Sequence, residues 1–110
     1  MGQIYNIETK KFDATNLTGS AQNLGSATSN PVKKVSFFNT SDVSILVGGF
    51  DGDDIELASN ATLTLDENTS NQSGRSSNYY LRKGAQLTVT EVTGAGSSGD
   101  LIAILVTEIL

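Results

Sequence analysis

Residues 99–110 read GDLIAILVTEIL, and from Leu101 to Val106 the run is unbroken apolar in a chain otherwise rich in Ser, Thr, Asn and Gly. In an extended strand successive side chains point to opposite faces. One face then carries Leu101, Ala103, Leu105, Thr107 and Ile109; the other carries Ile102, Ile104, Val106, Glu108 and Leu110. Both faces are apolar as far as Val106. One of them must fill a core. The other needs a second cover, because an exposed, flat, apolar strand invites association. Two covers are open at this point: the N-terminal stretch folded across the strand, or another subunit. Strands buried on both sides also occur inside single domains.

Working outward, the rest of the chain reads as strands and turns. VKKVSFFN (32–39) is a strand, NTSD (39–42) a turn and VSILVGG (43–49) a returning strand, with Val43, Ile45 and Val47 on one face. The three together are a candidate hairpin. A second turn and a short strand follow in FDGDDIEL (50–57). ATLTLDE (61–67) sets Leu63 and Leu65 against Thr62 and Thr64, and QLTVTEV (86–92) sets Leu87 and Val89 against Gln86, Thr88 and Thr90. Residues 66–78 are a polar loop, and TGAGSSGD (93–100) is a Gly-rich connection. Residues 3–12 form an extended arm or edge strand, and residues 14–31 are mostly loop anchored by Leu17 and Leu24. Strands at this spacing predict an all-β fold: an antiparallel β-sandwich, jelly-roll or Ig-like, or a small barrel. The expected division is an N-terminal arm and loop over 1–31 and a β-sandwich domain over 32–110.

Composition narrows the function classes. With 110 residues the chain makes one domain with a modest core. It has no His and no Cys, which removes Ser/His/Asp and Cys/His catalysis, disulfides and the commonest metal ligand. Twelve acidic residues against seven basic ones give a net charge of −5, the wrong sign for phosphate neutralisation, so no nucleic-acid partner is expected. The basic residues come in the pairs Lys10–Lys11, Lys33–Lys34 and Arg82–Lys83, read as solvated faces and protected strand edges. The longest apolar run is far short of a membrane span, and residues 1–12 contain no signal-peptide core. No membrane partner is expected.

One stretch resembles a site. GGFDGDDIE brings Asp51, Asp53, Asp54 and Glu56 together, and calcium takes several such oxygens. The spacing fits neither an EF-hand loop nor a β-roll repeat, so a solvated loop is the better reading, with Asp51, Asp53 and Asp54 a weak calcium candidate. A glycosidase pair needs two carboxyl groups across a cleft, which one exposed turn does not supply. The sequons at Asn16, Asn39, Asn60, Asn68 and Asn71 are read as turn chemistry. No catalytic residue, cofactor or metal site is predicted.

VSFFNTSDVSILVGG, IELASNATLTLDE and LRKGAQLTVTEVTGAGSSGDLIAILVTEI together resemble the small β-sandwich structural proteins of tailed-phage and related virions. The resemblance covers about residues 32–110 and is one of layout. It implies a non-enzymatic virion protein assembled in the host cytoplasm: a capsid decoration (cement) protein, or a head–tail connector, collar or tail component. The implied partners are further copies of the chain, with a trimer expected, and a major capsid or connector protein. The residues expected at the interface are Leu101, Ile102, Ile104, Val106, Ile109 and Leu110 on the last strand, with Ile4 and Tyr5 from the arm. A receptor- or glycan-recognition module using loops 49–54 and 66–78 is the alternative.

Overall fold

The computed structural model describes residues 4–28, 30, 32–49, 54–66 and 86–109. Among them run β1 (Ile4–Asp13), a 3-10 turn (Ala14–Asn16), β2 (Gln22–Asn23), β3 (Val32–Asn39), β4 (Ile45–Gly48), β5 (Ile55–Leu57), β6 (Thr62–Asp66), β7 (Thr88–Glu91) and β8 (Asp100–Ile109). These strands form two four-stranded sheets, ordered β1-β8-β3-β6 and β2-β7-β4-β5. Every pairing is antiparallel, and the pairs nest: β1 with β8, β2 with β7, β3 with β6, β4 with β5. The chain is thus one long antiparallel ribbon, rolled until β3 also meets β8 and β4 also meets β7. That nesting is a jelly roll. It sets aside the Ig-like alternative, in which the first two strands are sheet neighbours; here β1 and β2 lie in different sheets.

The core fills the space between the sheets. Leu101, Ala103, Leu105 and Thr107 of β8 are fully buried, beside Val35 and Phe37 of β3 and Leu65 of β6. Ile45, Val47, Leu57, Leu87 and Val89 meet them from the second sheet side. Period-two alternation holds along β8 and from Val35 to Asn39 of β3, and breaks at the register shift between Val32 and Lys34. Ala14, Leu17 and Leu24 join the same cluster, so the sandwich draws on the stretch 1–31 as well as on 32–110. Residues 4–13 take the edge-strand alternative: β1 pairs with β8 over its full ten residues.

The expected β3–β4 hairpin does not form. Both strands exist, but β3 lies in one sheet and β4 in the other, so residues 40–44 arch across the sandwich. A buried polar knot accounts for the crossing. The Asn39 side-chain amide, on a residue 1% exposed, donates to the carbonyls of Val43 (2.8 Å), Leu57 (2.9 Å) and Ala58 (3.1 Å). Its Oδ1 accepts from Ser41 N–H at 3.0 Å and from the Ser41 hydroxyl at 2.6 Å. Carbonyls on one side and donors on the other fix which way the amide points. The amide thus ties the Val43 carbonyl of the arch to the end of β5.

The arch is also stitched to the loop entering β8. Thr40 N–H donates to the Asp100 carbonyl at 2.9 Å, and Asp100 N–H donates to Thr40 Oγ1 at 3.1 Å. Ser97 donates to the Asp42 carboxylate through its N–H at 3.0 Å and through its hydroxyl. Gly99, at φ +93°, passes so close that a Cβ there would stand 2.5 Å from the Thr40 carbonyl oxygen. Only glycine fits that crossing.

Two outcomes follow from these contacts. Asn39→Asp keeps the shape but cannot donate to three carbonyls while ionised, and it places a charge in a site closed to water. Chemical denaturation of this variant at neutral pH is expected to show a loss of about 3 kcal/mol or more; an unmoved midpoint would mean the knot does not hold the arch. The Asp42 carboxyl is held below its ordinary 3.8 by the Ser97 hydroxyl and then the Ser97 N–H, and Asp13 is lowered by Thr15 N–H and then the Thr15 hydroxyl. Folded values below unfolded ones give stability that is present above about pH 4 and lost as pH falls through the folded values. Wild type should therefore lose stability faster than Asp42→Asn on acidification below that pH, followed by circular dichroism.

Candidate interaction surface

The described part of the N-terminal stretch does not lie across β8. β1 runs beside it in the plane of the sheet, so it covers neither face. Strand register then defines the outer face of the β1-β8-β3-β6 sheet. Ile102 sits between Lys11 and Phe38, Ile104 between Thr9 and Ser36, and Val106 between Ile7 and Lys34. A diagonal apolar band results, from Ile7 through Val106, Ile104 and Ile102 to Phe38, with Tyr5 beyond Ile7. Ile7 is 68% exposed, Tyr5 50% and Ile104 36%; Ile102, Val106 and Phe38 are half-buried by their neighbours. No described element lies over the band. Single exposed apolar residues are ordinary, whereas a contiguous row of them marks a contact surface.

Both ends of the band are charged and internally paired. Lys11 Nζ lies 3.7 Å from Asp100 Oδ2 at one end. At the other, Lys33 Nζ lies 4.0 Å from Glu108 Oε1, while Glu108 Oε2 is buried without a hydrogen-bond partner. Lys33 is the residue at which the β3–β8 register shifts, between Val32 and Lys34, and this irregularity turns it toward Glu108.

Alternation splits the first basic pair. Lys11 points outward, but Lys10 points inward, is 9% exposed and donates to the Ser26 carbonyl at 2.6 Å. Gly25, at φ +69°, rests against the Lys10 stem, where a Cβ would come within 3.2 Å of its Cγ. Lys10 thus pins the 25–26 segment to the edge strand. Arg82 and Lys83 lie outside the described residues.

Of the interface candidates, Ile102, Ile104, Val106 and Tyr5 lie on the outer face. Leu101 shares the parity of Ala103 and Leu105 and is fully buried in the chain's own core. Ile4 and Ile109 are paired with each other at the end of the sheet, and Leu110 lies outside the described residues. Ile7 and Phe38 complete the band without having been singled out. Phe38 had a signal in the sequence, because adjacent Phe37 and Phe38 in a strand must face opposite ways. Ile7 had none, since its place depends on register with β8. Of the calcium candidates, Asp54 is exposed, and Asp51 and Asp53 lie outside the described residues. Among the described residues no three acidic side chains gather at one point. Of the sequons, Asn39 is buried in the knot and Asn60 occupies a turn at φ +62°. Among the described residues no helix is long and apolar enough to cross a membrane.

No protein-family model and no curated protein matches the chain. Among solved structures it is similar to a chain of the disulfide-linked pili formed by Bacillus endospore appendages. That match has a TM-score of 0.58 at 8% identity and covers 98% of this chain and 89% of the other. It is also similar to a chain of the cyanophage Pam1 capsid asymmetric unit, with a TM-score of 0.48 at 15% identity, covering 99% and 87%. The pilus likeness is one of fold. With no cysteine, this chain has no means of making the disulfide links of those pili.

The two faces of β8 predict opposite responses. Leu105→Ala empties a fully buried site and should lower unfolding free energy by about 2–5 kcal/mol. Ile104→Thr, one residue away on the outer face, should change the stability of the isolated monomer by less than about 1 kcal/mol. Urea denaturation at submicromolar protein checks both; comparable losses would overturn the assignment of faces.

Proposed function

We propose that this chain is a non-enzymatic structural subunit of a virion, most specifically a capsid decoration protein that stabilises the particle through subunit contacts. The observation that supports it is the apolar band on the outer face of the β1-β8-β3-β6 sheet. Soluble folds normally turn a wet face outward on a two-layer sandwich, and here the central strand keeps isoleucine and valine there. At about 25 cal/mol per Å² of apolar surface, covering such a band is worth several kcal/mol before the entropy of association is subtracted. The layout of residues 32–110 supports the virion setting. That a pilus subunit is built on the same fold supports an assembling role. The absence of His and Cys leaves few routes to catalysis.

The second placement on the same reading is a head–tail connector, collar or tail component, because a surface that packs against its own kind serves a ring as well as a shell. Quantitative mass spectrometry of purified particles, made from the genome that encodes this chain, separates the two. Decoration requires a copy number comparable to that of the shell protein; a connector requires that of a single ring. Absence of the chain from the particles would overturn the virion reading.

A further inference from the structure

The assembly reading leaves open what first covers the apolar band. We propose that the occupant is a second copy of this chain, docked sheet on sheet through the same face of each. The inference rests on the assembly reading and names its partner.

Charge is the first argument. The chain carries a net −5, so two copies repel over most of their surface. The outer face of this sheet departs from that balance. Lys11 offsets Asp100 at one end, and Lys33 and Lys34 outnumber Glu108 at the other, so the face does not share the chain's acidic excess. A partner selected by the chain's acidity would be basic, and it would seek the acidic remainder rather than this face. A second acidic chain finds here the surface it can approach without like-charge repulsion.

Self-complementarity is the second argument. A two-fold contact requires a patch that fits its own image. The band is centred on Ile104, with Ile102 and Val106 on either side along β8, and Ile7 and Phe38 at opposite corners on the flanking strands. Each end presents an acid and at least one lysine. Whichever way a second copy turns, an acid therefore finds a base at each end. Stacked sheets pack about 10 Å apart, a spacing that interdigitated isoleucine and valine side chains fill. An isologous contact of this kind makes a dimer the building block, in place of the trimer expected from the sequence.

Sedimentation velocity from nanomolar to high micromolar protein, at low and high salt, tests the proposal. Wild type should associate reversibly and keep its association at high salt, because the contact is mainly apolar. Ile104→Lys, at the centre of the band, should weaken association by about 100-fold or more, because a charge would be buried without a partner. Ile7→Lys lies at a site 68% exposed on an edge strand, where folding tolerates it, and should weaken association by at least about tenfold. Circular dichroism confirms that each variant is folded, and Ile7→Lys carries the test if Ile104→Lys is not. A wild type that stays monomeric overturns the proposal. So does undiminished association of a folded variant, which would place self-contact elsewhere while leaving the assembly reading intact. Only absence from particles removes that reading.

Discussion

The position of β8 between β1 and β3 is the constraint on which the rest of the structure depends. It pairs with β1 over ten residues and with β3 over most of that length, so it joins the two ends of the ribbon. Its odd-numbered side chains fill the middle of the core, and Ala103, the smallest of them, stands opposite Phe37. Its even-numbered side chains have no such role. The hydrophobicity that folds the first sheet is therefore carried by half of the strand, and the other half is surplus to folding. A contiguous apolar row of that kind on a sheet face marks a contact surface.

Much of this was legible from residue order. Alternation in TLTL and QLTVTEV located Leu63, Leu65, Leu87 and Val89 because one face of each strand is wet and the other is not. The double-sided character of β8 was legible for the same reason. Pairing was not. NTSD carries turn chemistry whether the strands after it pair or part, since Asn39 and Ser41 can bond to any nearby backbone. What sends β4 into the other sheet is the company of Leu57 and Ala58, distant in sequence, around one amide. The outer band was half legible: Ile102, Ile104 and Val106 lie within a single strand, whereas Ile7 and Phe38 reach them only through register.

Fold and surface point the same way. A jelly roll leaves two broad sheet faces toward its surroundings, and in this chain one of them has an apolar centre with charged ends. No cleft is needed for the function proposed, and the residues that do the work are ones usually found in cores. The polar investments, at Asn39, Asp42 and Gly99, instead serve the crossing between sheets. Stability and association are thus assigned to different sides of one strand, so the outer side can change while the inner side holds the fold.

Lys10 carries a consequence for the shape of any assembly. An edge strand ten residues long would ordinarily template the addition of strand upon strand, the route by which sandwich proteins convert to fibres. Here a lysine from that edge is turned beneath the sheet and tied to Ser26. A newcomer pairing alongside it would close off the ammonium's remaining access to water, at a cost no ladder hydrogen bond readily offsets. Hydrogen-bonded growth in the sheet plane is discouraged while stacking across the face stays open. Under the proposed face-to-face docking, such a chain favours closed bodies over strand-added fibres.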